Sequence, residues 1–226
     1  MSAPEVAAPE APLDTDAGAA EGLTAAEVSR RLLAALGRPG GTGFLPASES
    51  DDAEGMEDVP PRRRAAVLVP VLLGEAPSIL LTLRSAALSA HAGQVALPGG
   101  RIEAGETPEA AAVREAAEEV GLDPRLPEIV GRLPEHRTGT GFHITPVVAL
   151  LTPPFSVTPD PSEVAEIFEY PIDRLLDPTF PERRSGVWSG RERHYWVWPH
   201  ETQLIWGATA AILRNLALVL RAPCPR

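Results

Sequence analysis

GRIEAGETPEAAAVREAAEEVGL, residues 100–122, is the stretch that decides the fold of this chain. Thr107 followed by Pro108 predicts the start of a helix, because Thr is a good N-cap and Pro suits the first helical position. Gly121 predicts the helix end, since glycine readily adopts the left-handed conformation that closes many helices. The stretch therefore predicts a glycine-containing loop followed by a single helix.

The two faces of this predicted helix differ in polarity. Apolar residues recur at the i, i+3, i+4 and i+7 spacing and predict one buried stripe: Val113, Ala116, Ala117 and Val120. Glu115, Glu118 and Glu119 fall outside that stripe and share an acidic face. Like charges at this spacing repel one another, and a bound divalent cation would turn the repulsion into attraction. A solvated acidic surface is the more usual meaning of a charge run, but the glycine loop beside it favours a metal site.

The same stretch resembles the Nudix box, G-x5-E-x7-R-E-U-x-E-E-x-G-U, in which U is an aliphatic residue. The matching residues are Gly100, Glu106, Arg114, Glu115, Glu118, Glu119, Gly121 and Leu122, while Ala116 is small for a U position. The resemblance implies an α/β fold, a Nudix-type α/β/α sandwich around a mixed β-sheet. It also implies a metal-dependent hydrolase of a nucleoside diphosphate linked to another group.

The resemblance further implies roles for individual residues. The implied ligands of Mg²⁺ or Mn²⁺ are Glu115, Glu118, Glu119 and the Gly99 carbonyl. Such a cation neutralises a diphosphate, whose charge otherwise repels a nucleophile, and makes hydroxide available near neutral pH. Arg114 would hold the carboxylates in position. The general base is left open between Glu115 and a glutamate outside the box such as Glu163.

A second motif lies upstream and resembles that of coenzyme A pyrophosphatases, a Nudix subfamily: LLTxR(S/A)x3Rx3Gx3FPGG. The matching residues are Leu80, Leu81, Thr82, Arg84, Ser85, Gly93, Pro98, Gly99 and Gly100. Ser89 replaces the second Arg and Leu97 replaces the Phe. The resemblance implies hydrolysis of coenzyme A or its thioesters to 3′,5′-ADP and (acyl-)4′-phosphopantetheine. It makes Arg84, Ser85 and Gly93 candidate substrate contacts, with Arg137 as a replacement for the Arg missing at Ser89.

Composition and charge give the predicted organisation of the chain. The 226 residues carry a net charge of −11, and residues 1–60 hold 12 acidic residues and 3 arginines, a net −9. We expect a disordered acidic tail at 1–22, a helix and linker at 23–61, and a Nudix hydrolase domain at 62–222. The acidity argues against a nucleic-acid polymer or an anionic membrane as partner. With no signal peptide or membrane span in the sequence, we expect a cytoplasmic monomer or homodimer with a small-molecule substrate.

Hydrophobic patterning predicts the remaining elements. The predicted strands are 65–73, 78–85, 94–97, 128–133, 143–151, 165–170 and a Trp-rich region at 186–198, and the predicted outer helices run from Thr24 to about Leu36 and from Ala208 to Arg221.

Two other functions stay open at the level of sequence. One is a Nudix hydrolase with another substrate, such as ADP-ribose or a nucleoside triphosphate, because Ser89 removes one Arg of the upstream motif. The other is a non-catalytic nucleotide-binding module. Such a module would be free to lose the box carboxylates, all of which are present here.

Overall fold

The structure, a computed structural model, describes residues 22–37, 63–88, 91–138, 141–188 and 191–222. Its elements in chain order are α1 (Ala25–Leu36), β1 (Arg63–Leu72), β2 (Ser78–Arg84), β3 (Val95–Ala96), β4 (Gly99–Arg101), α2 (Pro108–Val120), β5 (Glu128–Arg132), β6 (His136–Arg137), β7 (Phe142–Leu151), β8 (Val164–Pro171), α3 (Ile172–Leu176), β9 (Glu182–Trp188), β10 (Arg191–Pro199), β11 (Leu204–Trp206) and α4 (Gly207–Arg221). The predicted tail, apart from Gly22, the predicted linker after α1 and Ser89 lie outside the described residues.

The main sheet is built around β1 and β7, which run parallel from the Arg63–Phe142 pair to the Leu72–Leu151 pair. β5 and β6 pair antiparallel with β7, and β8 pairs antiparallel with β2. Parallel and antiparallel pairs thus share one sheet, which confirms the predicted mixed sheet.

Strands β1 and β2 diverge, and the β3–β4 segment fills the gap between them. β2 pairs with β1 at its first two residues and with β3 at Thr82 and Leu83. β1 pairs with β4 at residues 65–67, and the Leu68 N–H donates to the Pro98 carbonyl at 2.8 Å. The loop that precedes α2 is therefore held inside the sheet by backbone hydrogen bonds.

Helices cover both faces of this sheet. On one face α2 packs against aliphatic residues of β1 and β7 that include Leu68 and Val147. On the other, Leu32 of α1 and Leu216 of α4 are fully buried in one cluster with Val148. Burial of each such side chain contributes about 1.5–3 kcal/mol. The two helical layers confirm the predicted α/β/α arrangement.

The predicted helix ends are confirmed by their caps. The Thr107 hydroxyl accepts a hydrogen bond from the Ala110 N–H at 3.2 Å, and Gly121 closes α2 in the left-handed region with φ 64°. Thr24 caps α1 in the same way, accepting from the Glu27 N–H at 3.3 Å. Capping groups satisfy backbone donors that the first helical turn leaves unpaired, so these residue types mark the boundaries well.

Four short elements, β4, β6, α3 and β11, were not predicted because each is too short to show a period in hydrophobicity. The Trp-rich region is two strands, β9 and β10, which form a second sheet with β11. Its Trp198 is fully buried, and the indole N–H donates to the Ala210 carbonyl of α4 at 2.9 Å. Within the described residues no helix has the length and apolar character needed to cross a membrane.

Candidate active site

Burial on α2 differs from the stripe that apolar spacing predicts. Ala116 and Val120 are buried and Val113 is half-buried against the same core, so the predicted stripe is confirmed at these positions, while Ala117 is half-buried. The buried side of α2 extends beyond the predicted stripe. As a result Glu119, predicted on the acidic face, points into the protein and is only 4 % exposed.

Arg114 gathers the charged groups at the middle of α2. Its guanidinium makes two hydrogen bonds to Glu106, at 3.0 and 3.1 Å, and donates to Glu115 at 2.9 Å and to Glu118 at 3.2 Å. It also donates to the Arg101 carbonyl at 3.0 Å, which ties the helix to β4. These hydrogen bonds hold the pKa of Glu106 below its ordinary value and raise the pKa of Arg114. The planar, multi-donor guanidinium thus orients the carboxylates.

Glu119 is the buried member of the acidic group. One carboxylate oxygen accepts from the Gly99 N–H at 3.0 Å, and the other lies 3.5 Å from the Arg84 guanidinium. Burial raises the pKa of Glu119 from 4.5 to about 7. The hydrogen bond from Gly99 and the charge of Arg84 oppose this rise, and the charges of Glu163 and Glu115 add to it. A carboxyl that titrates near neutral pH because of burial and like charges marks a functional site in many proteins.

The glycine pair before α2 packs closely against its neighbours. A Cβ at Gly99 would collide with the Ala66 carbonyl and the Val67 backbone, and a Cβ at Gly100 would collide with the Glu115 carboxylate. The backbone of β1 therefore requires glycine at position 99, whereas at position 100 the carboxylate at the end of the Glu115 side chain could move aside. The loop thus places backbone directly against Glu115 and Glu119.

Glu163 reaches this group from the loop between β7 and β8. That loop is fixed to α2, because the Asp160 N–H donates to the Glu119 carbonyl at 2.9 Å. Burial raises the pKa of Glu115, Arg114 opposes the change, and the charges of Glu118 and Glu163 add to it. Glu163 itself is exposed to solvent. Four carboxylates from two segments therefore act on one another electrostatically.

Of the four predicted substrate contacts, Arg84 touches a carboxylate, and Ser85 and Gly93 are joined to Glu163 and Arg84 by backbone hydrogen bonds. Arg84 contacts Glu119, the Ser85 N–H donates to the Glu163 carbonyl at 2.8 Å, and the Gly93 N–H donates to the Arg84 carbonyl at 3.1 Å. Gly93 has φ 67°, a left-handed conformation that favours glycine. The fourth, Arg137, is exposed on β6, which β7 and β1 separate from β4.

The donor set suits a hard divalent cation. Glu115, Glu118 and Glu119 supply carboxylate oxygens, which Mg²⁺ and Mn²⁺ prefer, and burial, with smaller contributions from neighbouring carboxylates, raises the pKa values of Glu115 and Glu119. Across the described ranges, no three such side chains converge on one point. Arg114 holds two of the carboxylates and Arg84 the third, so a cation would have to displace at least one guanidinium contact.

Glu106 is the residue whose function sequence reasoning missed. The motif gives it a position but no role, yet it is the principal partner of Arg114. Its place directly before the N-cap Thr107 was the available signal, because a side chain there can reach the second turn of the helix. The burial of Glu119 had no comparable signal, since a glutamate in a helix usually faces water.

A glycine loop and a helix of carboxylates, set in a mixed sheet with helices on both faces, define a class of metal-dependent hydrolases. Residues 62–188 match the NUDIX domain family. This chain belongs to the Nudix family and is a Nudix hydrolase of pyrophosphate-containing substrates. Nudix hydrolases act on small molecules and generally use divalent metals such as Mg²⁺ or Mn²⁺.

The chain is similar to two proteins named "Uncharacterized Nudix hydrolase NudL". The one from Citrobacter koseri is 42% identical over 163 residues, which are 70% of this chain and 82% of the relative. The one from Pectobacterium atrosepticum has the same identity, length and coverage. Among solved structures, a Nudix hydrolase from M. smegmatis, RenU, is 32% identical with a TM-score of 0.43, covering 53% of this chain and 79% of that one.

Proposed function

We propose that this chain hydrolyses the pyrophosphate bond of coenzyme A or acyl-coenzyme A, releasing 3′,5′-ADP and 4′-phosphopantetheine or its acyl form. The observation that carries the proposal is the contact between the two sequence motifs. Arg84 of the upstream motif lies 3.5 Å from Glu119 of the Nudix box. This contact supports a site in which Arg84 and the Gly99–Gly100 pair of the coenzyme A pyrophosphatase motif border the carboxylates and would touch a diphosphate.

The departures from the motif are compatible with this substrate. Leu97, in place of Phe, is buried and keeps the position apolar. Ser89, in place of Arg, removes one positive charge, and Arg84 and Arg137 remain as candidate anion contacts. Arginine suits phosphate recognition because its fork of N–H donors binds two oxygens at once.

Each side chain of the site has a proposed role. Glu115, Glu118, Glu119 and the Gly99 carbonyl would hold Mg²⁺ or Mn²⁺. When bound there, the cation neutralises phosphate charge and acidifies water. Arg114, with Glu106 behind it, keeps Glu115 and Glu118 in position.

The proton from the attacking water goes to a carboxylate, and Glu163 is the stronger candidate for that general base. It is exposed, lies outside the Arg114 network and acts electrostatically on both Glu115 and Glu119. Glu115, in contrast, has a pKa that burial raises, but its carboxylate is already engaged by a hydrogen bond from Arg114 at 2.9 Å and by its proposed role as a metal ligand. Glu163→Gln should therefore reduce turnover by roughly 10²-fold or more without weakening Mn²⁺ binding to the same degree.

A substrate panel tests the proposal. The purified protein with Mn²⁺ is assayed against coenzyme A, acetyl-coenzyme A, dephospho-coenzyme A, ADP-ribose and nucleoside triphosphates, with the products identified by chromatography. We expect the highest kcat/KM for coenzyme A or its thioester. Hydrolysis of ADP-ribose or a nucleoside triphosphate without hydrolysis of coenzyme A would refute the subfamily assignment. Binding of these compounds without hydrolysis of any would indicate a non-catalytic module.

A further inference from the structure

Three basic side chains stand side by side on adjacent strands. Arg64 of β1 pairs with His143 of β7, and Arg137 of β6 pairs with the same His143. Residues that pair directly across a sheet share a face, and neighbouring strands are about 4.8 Å apart. We call Arg64, His143 and Arg137 the basic row.

The basic row lies on the face of the sheet that carries α2. Alternate residues of a strand share a face, and Ala66 and Leu68 of β1 pack in the cluster that includes α2. Arg64 is two residues before Ala66 and so belongs to that face. On β7 the same alternation places His143 with Val147 and Ala149, which also pack against α2.

The basic row is close to the acidic site along β1. Ala66 pairs with Gly100, against which the Glu115 carboxylate lies. Arg64 is two residues away, and two residues of a strand span about 7 Å. The basic row therefore begins two strand residues from the place where Gly100 meets the Glu115 carboxylate, and it extends across β7 to β6.

Both arginine side chains of the row are available for a ligand. Arg64 and Arg137 are exposed, and neither guanidinium forms an ion pair or hydrogen bond to another described residue. The acidic side chain of Glu135, just before β6, accepts a hydrogen bond from the Thr145 hydroxyl at 3.2 Å. The adjacent Arg63 differs, because its guanidinium lies 5.5 Å from the centre of the Phe142 ring.

We propose that the basic row is a binding site for a phosphate monoester that the substrate carries beside its diphosphate. The inference rests on the proposed function, in which this group is the 3′-phosphate of coenzyme A, one ribose ring away from the hydrolysed diphosphate. Two guanidinium groups that flank an imidazole offer several N–H donors to the phosphate oxygens, and charge-assisted hydrogen bonds of this type are strong. The row thus supplies the positive charge that Ser89 removes from the upstream motif.

The test compares Arg64→Gln, Arg137→Gln and the double variant with Arg63→Gln as the matched control. The control removes the same charge from the neighbouring residue on the opposite face. kcat/KM is measured with coenzyme A and with dephospho-coenzyme A, which lacks the 3′-phosphate. We expect each single variant to reduce the preference for coenzyme A about tenfold, as for the loss of one charge-assisted hydrogen bond, and the control to change it less than about twofold.

Product binding gives a second measurement that does not need turnover. In calorimetry the native protein should bind 3′,5′-ADP more tightly than 5′-AMP, and the double variant should bind both alike. A double variant that keeps the native preference, or a native enzyme that treats coenzyme A and dephospho-coenzyme A alike, would overturn the basic row as a phosphate site. A native enzyme that hydrolyses ADP-ribose but neither coenzyme would instead refute the proposed function.

Discussion

Glu119→Gln should abolish most activity and yet stabilise the metal-free protein at pH 8. Burial raises the pKa of Glu119 from 4.5 to about 7, so the folded protein holds this proton more tightly than the unfolded chain does. Stability from this group is therefore greatest at low pH and is lost as the pH rises from 4.5 through 7. A pKa raised by that amount lowers the free energy of unfolding by about 3 kcal/mol at pH 8 and by less than about 1 kcal/mol at pH 5.

Urea unfolding with EDTA at pH 5, 6.5 and 8, followed by tryptophan fluorescence, measures this difference. The side-chain amide introduced by Glu119→Gln would keep an oxygen acceptor for the Gly99 N–H but carry no charge, so the variant should gain about 3 kcal/mol over the native protein at pH 8. Glu118→Gln is the matched control, because it removes one charge from a side chain that is 61% exposed. An equal stability difference at pH 5 and pH 8 would refute the assignment of Glu119 as a buried, destabilising charge.

Adding Mn²⁺ should reverse the order of stability. A cation at about 100 times its Kd stabilises the native fold by about 2.7 kcal/mol, and the variant has lost one charged ligand. Turnover of the variant should fall by roughly 10²-fold or more. Near-normal activity in saturating Mg²⁺ would exclude Glu119 as a metal ligand.

Three further outcomes are expected. Arg84→Gln removes the guanidinium that lies 3.5 Å from Glu119, so calorimetry at pH 8 should show that this variant binds Mn²⁺ about tenfold more tightly than Arg84→Lys does. Equal affinities would show that a positive side chain at position 84 does not compete with Mn²⁺. Burial lowers the pKa of His136 to about 4, so the free energy of unfolding should decrease as the pH falls from about 6.5 toward 4. His136→Phe in the Glu119→Gln background should reduce this dependence on pH, as measured by urea unfolding. Deletion of residues 1–22 should leave the Tm and turnover nearly unchanged, because the segment is rich in Ala, Pro and acidic residues and has few large apolar side chains to pack. A clear drop in either would show that it docks on the enzyme.

The long strands and the acidic helix α2 could be predicted because the residues that determine them are close together in the sequence. Thr107, Pro108 and Gly121 determine the ends of α2 through backbone capping that needs no distant partner. β1 and β7 are long aliphatic runs, as expected for strands buried on both faces.

The internal arrangement of the site could not be predicted in the same way. The inward orientation of Glu119 on α2 depends on the Gly99 N–H of β4 and on Arg84 of β2, which are distant from each other in the sequence. The basic row likewise depends on the register of three strands, and a register is a long-range property. Sequence spacing therefore identified the residue types that lie at the site, Arg84 among them, but not which carboxylate is buried.

The layer formed by α1 and α4 has a consequence for how the protein can be divided. Both helices lie outside residues 62–188, yet Leu32 and Leu216 complete the core on one face of the sheet. The Thr209 hydroxyl of α4 also donates to the Val95 carbonyl at 3.0 Å, directly upstream of the glycine loop. A fragment trimmed to the family match would retain the acidic side chains but expose the aliphatic face that supports them, and we expect it to aggregate. The segment that carries the chemistry is shorter than the segment that can fold.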